Sequence, residues 1–138
     1  FNSNISSWNV RNVTDMAGMF YNAFSFNQNI SSWDVSSVTT MSEMFEGAVV
    51  FNQALSSWNV ANVTDMRSMF RNAFSFDGNI SSWNVSNVTD MTDMFNDASS
   101  FDNDISEWDV SNVVDHLGFS SGTCPLITAH HPDPSWDD

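Results

Sequence analysis

Apolar residues return every 25 positions along almost the whole chain, and no fold that ignores this period can be correct. Phe stands at 1, 26, 51, 76 and 101, and Trp at 8, 33, 58, 83 and 108. Val repeats at 10, 35, 60, 85 and 110, and again at 13, 38, 63, 88 and 113. Met pairs at 16/19, 41/44, 66/69 and 91/94 account for every methionine, and Phe20, Phe45, Phe70 and Phe95 follow them. The units run 1–25, 26–50, 51–75, 76–100 and 101–113, leaving 114–138 as an atypical cap and tail. A unit this short cannot bury its own apolar positions, but stacked copies cover one another.

Within a unit the spacing changes. Trp8 and Val10 alternate with Ser7, Asn9 and Arg11, which predicts a short half-buried strand. Met16, Met19, Phe20 and Ala23 follow i, i+3, i+4, i+7, the apolar stripe of a short helix. Thr14 is placed to cap it, Asp15, Asp65, Asp90 and Asp115 lie near the positive helix end, and Thr40 with Glu43 fits a capping box. The expected fold class is therefore an α/β repeat: a right-handed solenoid with one parallel sheet of Trp-x-Val strands on a concave face and short helices behind. Each buried indole N–H needs an acceptor, and a main-chain carbonyl of the adjacent unit is the natural one.

The strand segment is similar to the L-x-x-L-x-L of leucine-rich repeats, with Ile5, Trp8 and Val10 in the three Leu-type places. Val13 stands where that family has its buried Asn, with Asn12 one place earlier. Trp33-Asp34-Val35-Ser36-Ser37-Val38-Thr39 with Met41, Met44 and Phe45 resembles the W-D-V-S-N-V-T-D-M-x-x-M-F repeat of BspA-like leucine-rich-repeat surface proteins. The resemblance covers residues 1–113. It implies a secreted or cell-surface protein that adheres to host or matrix proteins.

Charge narrows the partners. Seventeen acidic residues against three Arg and no Lys give a net charge of -14, which repels nucleic acid and anionic membranes. All three Arg lie within the first 71 residues and 12 of the acids lie from Asp77 onward, so a basic partner or a divalent cation is the electrostatic complement. The longest apolar run is Ala48–Phe51, too short to span a membrane. With no initiator Met at Phe1, the chain reads as a mature product or a piece of something longer, and carries no readable targeting segment.

Catalytic chemistry is hard to assemble from such a sequence. The same groups recur in each unit, the three His all fall in the atypical end, and no phosphate loop or nucleophile set has the right spacing. The expectation is a non-catalytic binding or adhesion module without a required cofactor. Its contacts would be made by Ser7, Asn9 and Arg11; Ser32, Asp34 and Ser36; Ser57, Asn59 and Ala61; Ser82, Asn84 and Ser86; and Glu107, Asp109 and Ser111. The alternative is a structural subunit docked permanently in a larger assembly through Tyr21, Phe24, Arg67, Arg71 and Phe74. A third reading gives Asp102, Asp104, Glu107 and Asp109 to calcium, which favours hard oxygen ligands.

The end of the chain is read as a cover for the last unit, with Phe119 in the second Met position and Leu117, Leu126, Ile127 and Trp136 as apolar contacts. His130, His131 and Asp133, with His116, are a weaker metal set, and Cys124 has no cysteine partner. Seven Asn-x-Ser/Thr sequons, at Asn4, Asn12, Asn29, Asn62, Asn79, Asn84 and Asn87, arise from the turn chemistry of the repeat and offer surface glycosylation sites.

Overall fold

A computed structural model describes residues 1–136; the last two residues of the expected tail, 137 and 138, lie outside the described residues. The 25-residue units stack in sequence order, and identical side chains form columns through the core. Phe1, Phe26, Phe51, Phe76 and Phe101 make one column with ring centroids 5.6–6.2 Å apart. Phe20, Phe45, Phe70 and Phe95 make a second at 5.4–5.6 Å. The two columns touch where each unit passes into the next, as at Phe70 and Phe76, stacked 4.0 Å apart with nearly parallel rings. Around them Met41, Met44, Met66, Met69, Met91 and Met94 are wholly buried, as are Val38, Val63 and Val88.

The α/β solenoid expectation is overturned. Among the described residues the structure has no α-helix and no extended strand: only single parallel bridges join Asp15, Thr40, Asp65, Asp90 and Asp115, and one three-residue 3-10 turn spans Thr128–His130. Each unit is instead a coil of tight turns.

The methionine segment shows why the helix is lost. A helix would send each N–H to the carbonyl four residues back, but an eight-residue helix has few such bonds and is marginal in water. Here Met19, Tyr21 and Ala23 donate three residues back, to Met16, Gly18 and Phe20. The alternate amides of Met16, Gly18, Phe20 and Asn22 donate across to Thr40, Ser42, Met44 and Glu46 of the next unit, at 2.7–3.1 Å. Left-handed φ values at Gly18 (62°) and Asn22 (53°), repeated at Glu43 and Gly47, Ser68 and Asn72, and Asp93 and Asp97, allow this alternation and exclude a helix. The i, i+3 spacing was thus the signature of successive turns whose first and last side chains both point inward.

The expected caps are absent for the same reason. Thr14 offers its carbonyl to the Thr39 amide and hydroxyl, and Glu43 faces Arg67 at 3.2 Å rather than closing a box with Thr40. The Trp-x-Val segment is also not a strand. Turns closed by Trp8 N–H to Ile5 O and Val13 N–H to Val10 O flank it, leaving too few extended residues for a ladder. Asn9 takes the Arg11 amide on its own side chain, a local bond that competes with sheet pairing. With no sheet there is no concave strand face.

All four seams share one polarity. The earlier unit gives four main-chain N–H groups and the later unit four carbonyls, supplied at the last seam by Asp115, Leu117, Phe119 and Ser121 of the cap, while Thr39, Thr64, Thr89 and Val114 return a bond to Thr14, Thr39, Thr64 and Thr89. The stack is covered at its C-terminal end. Phe119 is fully buried in the methionine position and meets Phe95 edge-on at 5.4 Å. Leu126 and Trp136 pack on the core, whereas Leu117 and Ile127 stay exposed. The Ile105 amide donates to His130 O, and Cys124 Sγ to Phe101 O, which ties the tail to the last unit.

Candidate functional site

The most regular exposed feature is a ridge of turn residues on the outer side of the tryptophan column. Its first row is Ser7, Ser32, Ser57, Ser82 and Glu107, and its second is Asn9, Asp34, Asn59, Asn84 and Asp109; both rows are exposed in every unit. In the third row Arg11 and Ser111 are exposed, while Ser36, Ala61 and Ser86 are half-buried. Behind the ridge Trp33, Trp58, Trp83 and Trp108 are buried, so the inward and outward sides fall as the alternation predicts although the backbone is not a strand.

These polar groups are less free than their exposure suggests. Asn9, Asp34, Asn59, Asn84 and Asp109 each accept, through Oδ1, the amide two residues on. Ser86 and Ser111 hydroxyls add bonds of 2.7 and 2.6 Å to Asn84 and Asp109. The Ser36 hydroxyl, then its amide, hold the Asp34 carboxyl below its ordinary value; the Ser111 hydroxyl and amide do the same for Asp109. Ser57 and Ser82 donate to Ser31 O and Ser56 O of the preceding unit. What remains for a ligand is one oriented group per unit: an amide N–H₂ at Asn9, Asn59 and Asn84, and a second carboxylate oxygen at Asp34 and Asp109.

The structure does not gather the proposed calcium ligands. Asp104 is held by Ser106 at 2.6 Å, Asp109 by Ser111, and Asp102 faces His130 Nδ1 at 3.1 Å, while Glu107 is exposed on the ridge. The His pair separates in the same way. His131 is buried in the cap, with Nδ1 accepting the Asp133 amide, and His116 stacks on Trp136 at 4.4 Å. Among the described residues no three His, Cys, Asp or Glu side chains converge on a point. A cavity of about 330 Å³ lies within the cap and tail, lined by Ser120, Ser121, Gly122, Leu126, Thr128, His131, Pro134 and Trp136.

On another side of the units Tyr21, Phe24, Val50 and Phe74 are exposed, and Arg67 and Arg71 lie beside Glu43 and Glu46. Burial, more than the opposing pull of Arg71, raises the Glu46 carboxyl above its usual range.

Sequence reasoning missed two polar ladders. Asn62, Asn87 and Asn112 donate through Nδ2 to Ser36 O, Ala61 O and Ser86 O, at 2.7–2.8 Å. Asn2, Asn27 and Asn52 accept the amides of Asn27, Asn52 and Asp77. The signal was present as Asn recurring at the second and twelfth places of the unit, and the first ladder occupies the Asn12 position, not Val13. It also divides the sequons: a glycan on Asn62 or Asn87 would break a seam bond, whereas Asn4, Asn29 and Asn79 sit in exposed turns.

Among the described residues no helix is long and apolar enough to cross a membrane. No curated protein and no solved structure matches the chain. One family does match, over residues 1–73 and 53–123, and its two overlapping matches together take in all five units; the chain therefore belongs to the family described as "Mycoplasma protein of unknown function, DUF285".

Proposed function

We propose that the chain is a non-catalytic binding module of the BspA-like surface-protein kind, exposed outside the cell and adhering to a protein or matrix ligand. The observation that carries this reading is the second row of the ridge. Five units present Asn9, Asp34, Asn59, Asn84 and Asp109 in one orientation, each locked by its own turn. Pre-oriented groups lose little freedom on binding, and a repeated row suits an extended or repetitive ligand better than a single reacting centre. The ridge offers Arg11 as its only large anchor, so each unit contributes weakly and strength comes from several units engaged together. The net charge of -14 favours basic ligands.

The test is surface plasmon resonance against a panel of purified extracellular-matrix proteins at two salt concentrations. The reading expects weak binding that falls as salt rises, and modest losses for Asp34→Lys and Asp109→Lys that add in the double variant. Cross-links confined to Tyr21, Phe24 and Phe74 would replace it with the docked structural subunit.

A further inference from the structure

The units fan apart toward the tryptophan side. Neighbouring rings stand 5.4–5.6 Å apart in the Phe20 column and 5.6–6.2 Å in the Phe1 column. Trp8 and Trp33, and likewise Trp83 and Trp108, stand 6.4 Å apart. The ridge lies outside the tryptophans, so its rows advance by at least that last step. An extended polypeptide rises about 3.2–3.4 Å per residue and turns every second side chain to one face, at about 6.4–6.8 Å. The second row of the ridge therefore keeps pace with alternate residues of an extended chain laid along the stack. Its chemistry is ordered too. Asp34 and Asp109, three units apart, each keep one carboxylate oxygen outside the turn, and Asn59 and Asn84 between them keep their side-chain N–H₂ groups.

On the reading that the ridge is the binding surface, we infer that its ligand is an extended polypeptide segment with two basic side chains six residues apart and carboxamide side chains at the two alternate positions between them. At 6.4 Å per unit Asp34 and Asp109 are about 19 Å apart, and six residues of extended chain span about 19–20 Å. A Lys or Arg then meets each carboxylate, and a Gln or Asn oxygen accepts from the Asn59 and Asn84 amides. An odd separation turns one of the two basic residues to the far side. A helix fails on the same count, because one face returns only every 5.4 Å and falls out of step by about 1 Å at each unit.

The probe is the heptapeptide Lys-Thr-Gln-Thr-Gln-Thr-Lys with neutral ends, titrated into the full chain at low salt and followed by NMR. It reads the same in both directions, so it fits whichever way it lies, and its Thr residues favour extension. The control carries one more Thr at its centre, which keeps the charge and sets the two Lys seven apart. The expected result is shifts at the Asn59 and Asn84 side-chain amides, with the heptapeptide bound about two- to fivefold more tightly, as one exposed ion pair contributes. Asp34→Asn keeps the turn, because Asn9, Asn59 and Asn84 close the same one, and should remove that advantage. Equal affinity for the two peptides, with shifts still along the ridge, overturns the extended register and leaves the ridge as a binding surface. No shift at the ridge with either peptide also overturns it, and the matrix-protein panel then decides separately whether the ridge binds a ligand of another kind.

Discussion

Trp58 donates its indole N–H to the main-chain oxygen of Ile30, 28 residues earlier, at 3.1 Å. The same bond joins Trp33 to Ile5, Trp83 to Leu55 and Trp108 to Ile80. Each buried indole thus fills the core of its own unit and fixes its register on the unit before. Trp58→Ala should cost about 3–5 kcal/mol, the usual range for truncating a buried Trp. Trp58→Phe keeps an apolar ring but loses the indole bond, while the Ile30 oxygen keeps the Trp33 amide, for about 0.5–1.5 kcal/mol beyond the lost indole packing. Asn59→Ala loses one exposed turn bond, for about 0.5–1 kcal/mol. Denaturant unfolding of the three variants checks the order, and equal midpoints for Trp58→Ala and Asn59→Ala would contradict it.

The same substitution should be much milder at the first unit. Trp8 is half-exposed and among the described residues its Nε1 meets no carbonyl, so Trp8→Ala in this chain removes less buried area and no seam bond. Its loss in unfolding free energy should be less than half that of Trp58→Ala, measured side by side.

Glycine matters where a turn is both left-handed and crowded. Gly47 has φ 69°, and a Cβ there would run into the Asn22 side-chain oxygen of the preceding unit. Gly18 has φ 62°, but its nearest neighbour to such a Cβ is Tyr21 Cβ at 3.9 Å. Gly18→Ala should therefore cost only the left-handed strain, about 1–2 kcal/mol. Gly47→Ala should lower the thermal midpoint further, because the Asn22 side chain must also move.

Acid should loosen the turns. The Asp34, Asp104, Asp109 and Asp133 carboxyls are each held below the ordinary value of 3.8, first by the hydroxyl and then by the amide of the Ser two residues on. A depressed acid contributes stability above its unfolded value and loses it as pH falls through the folded one, so this contribution fades below about pH 4. Glu46 runs the other way: its raised carboxyl favours the fold when protonated, and that share is lost as pH rises past 4.5. A carboxyl-detected NMR titration of Ser111→Ala should show Asp109 moving back up while Asp34 stays put.

The repeat was fully legible because it is written in apolar identity, and the Trp, Met and Phe columns follow from stacking alone. The inward side of Trp58 and the outward side of Asn59 were legible for the same reason. Backbone conformation was not, because Met16, Met19, Phe20 and Ala23 have a spacing that a helix and a run of inward-facing turns share. The clues against the helix were polar and small residues: Gly18 and Asn22, and their counterparts Glu43 and Gly47, hold left-handed φ that side-chain periodicity does not report. The ridge at Asn9, Asp34 and Asn59 could be placed from alternation, but not the commitment of its oxygens to local amides, since an Asx turn looks the same in sequence as an uncommitted polar residue.

The central claim is that the units are joined along the methionine turns and not along the Trp-x-Val segments, and native-state amide hydrogen exchange tests it most directly. The account predicts slow exchange for Met41, Glu43, Phe45 and Gly47 and for Met66, Ser68, Phe70 and Asn72, which donate across seams at 2.8–3.0 Å. It predicts fast exchange for the exposed Asp34, Asn59 and Asn84, whose amides donate to no carbonyl among the described residues. Protection running along Asp34, Asn59 and Asn84, with the methionine-turn amides exchanging freely, would contradict it and restore the parallel sheet.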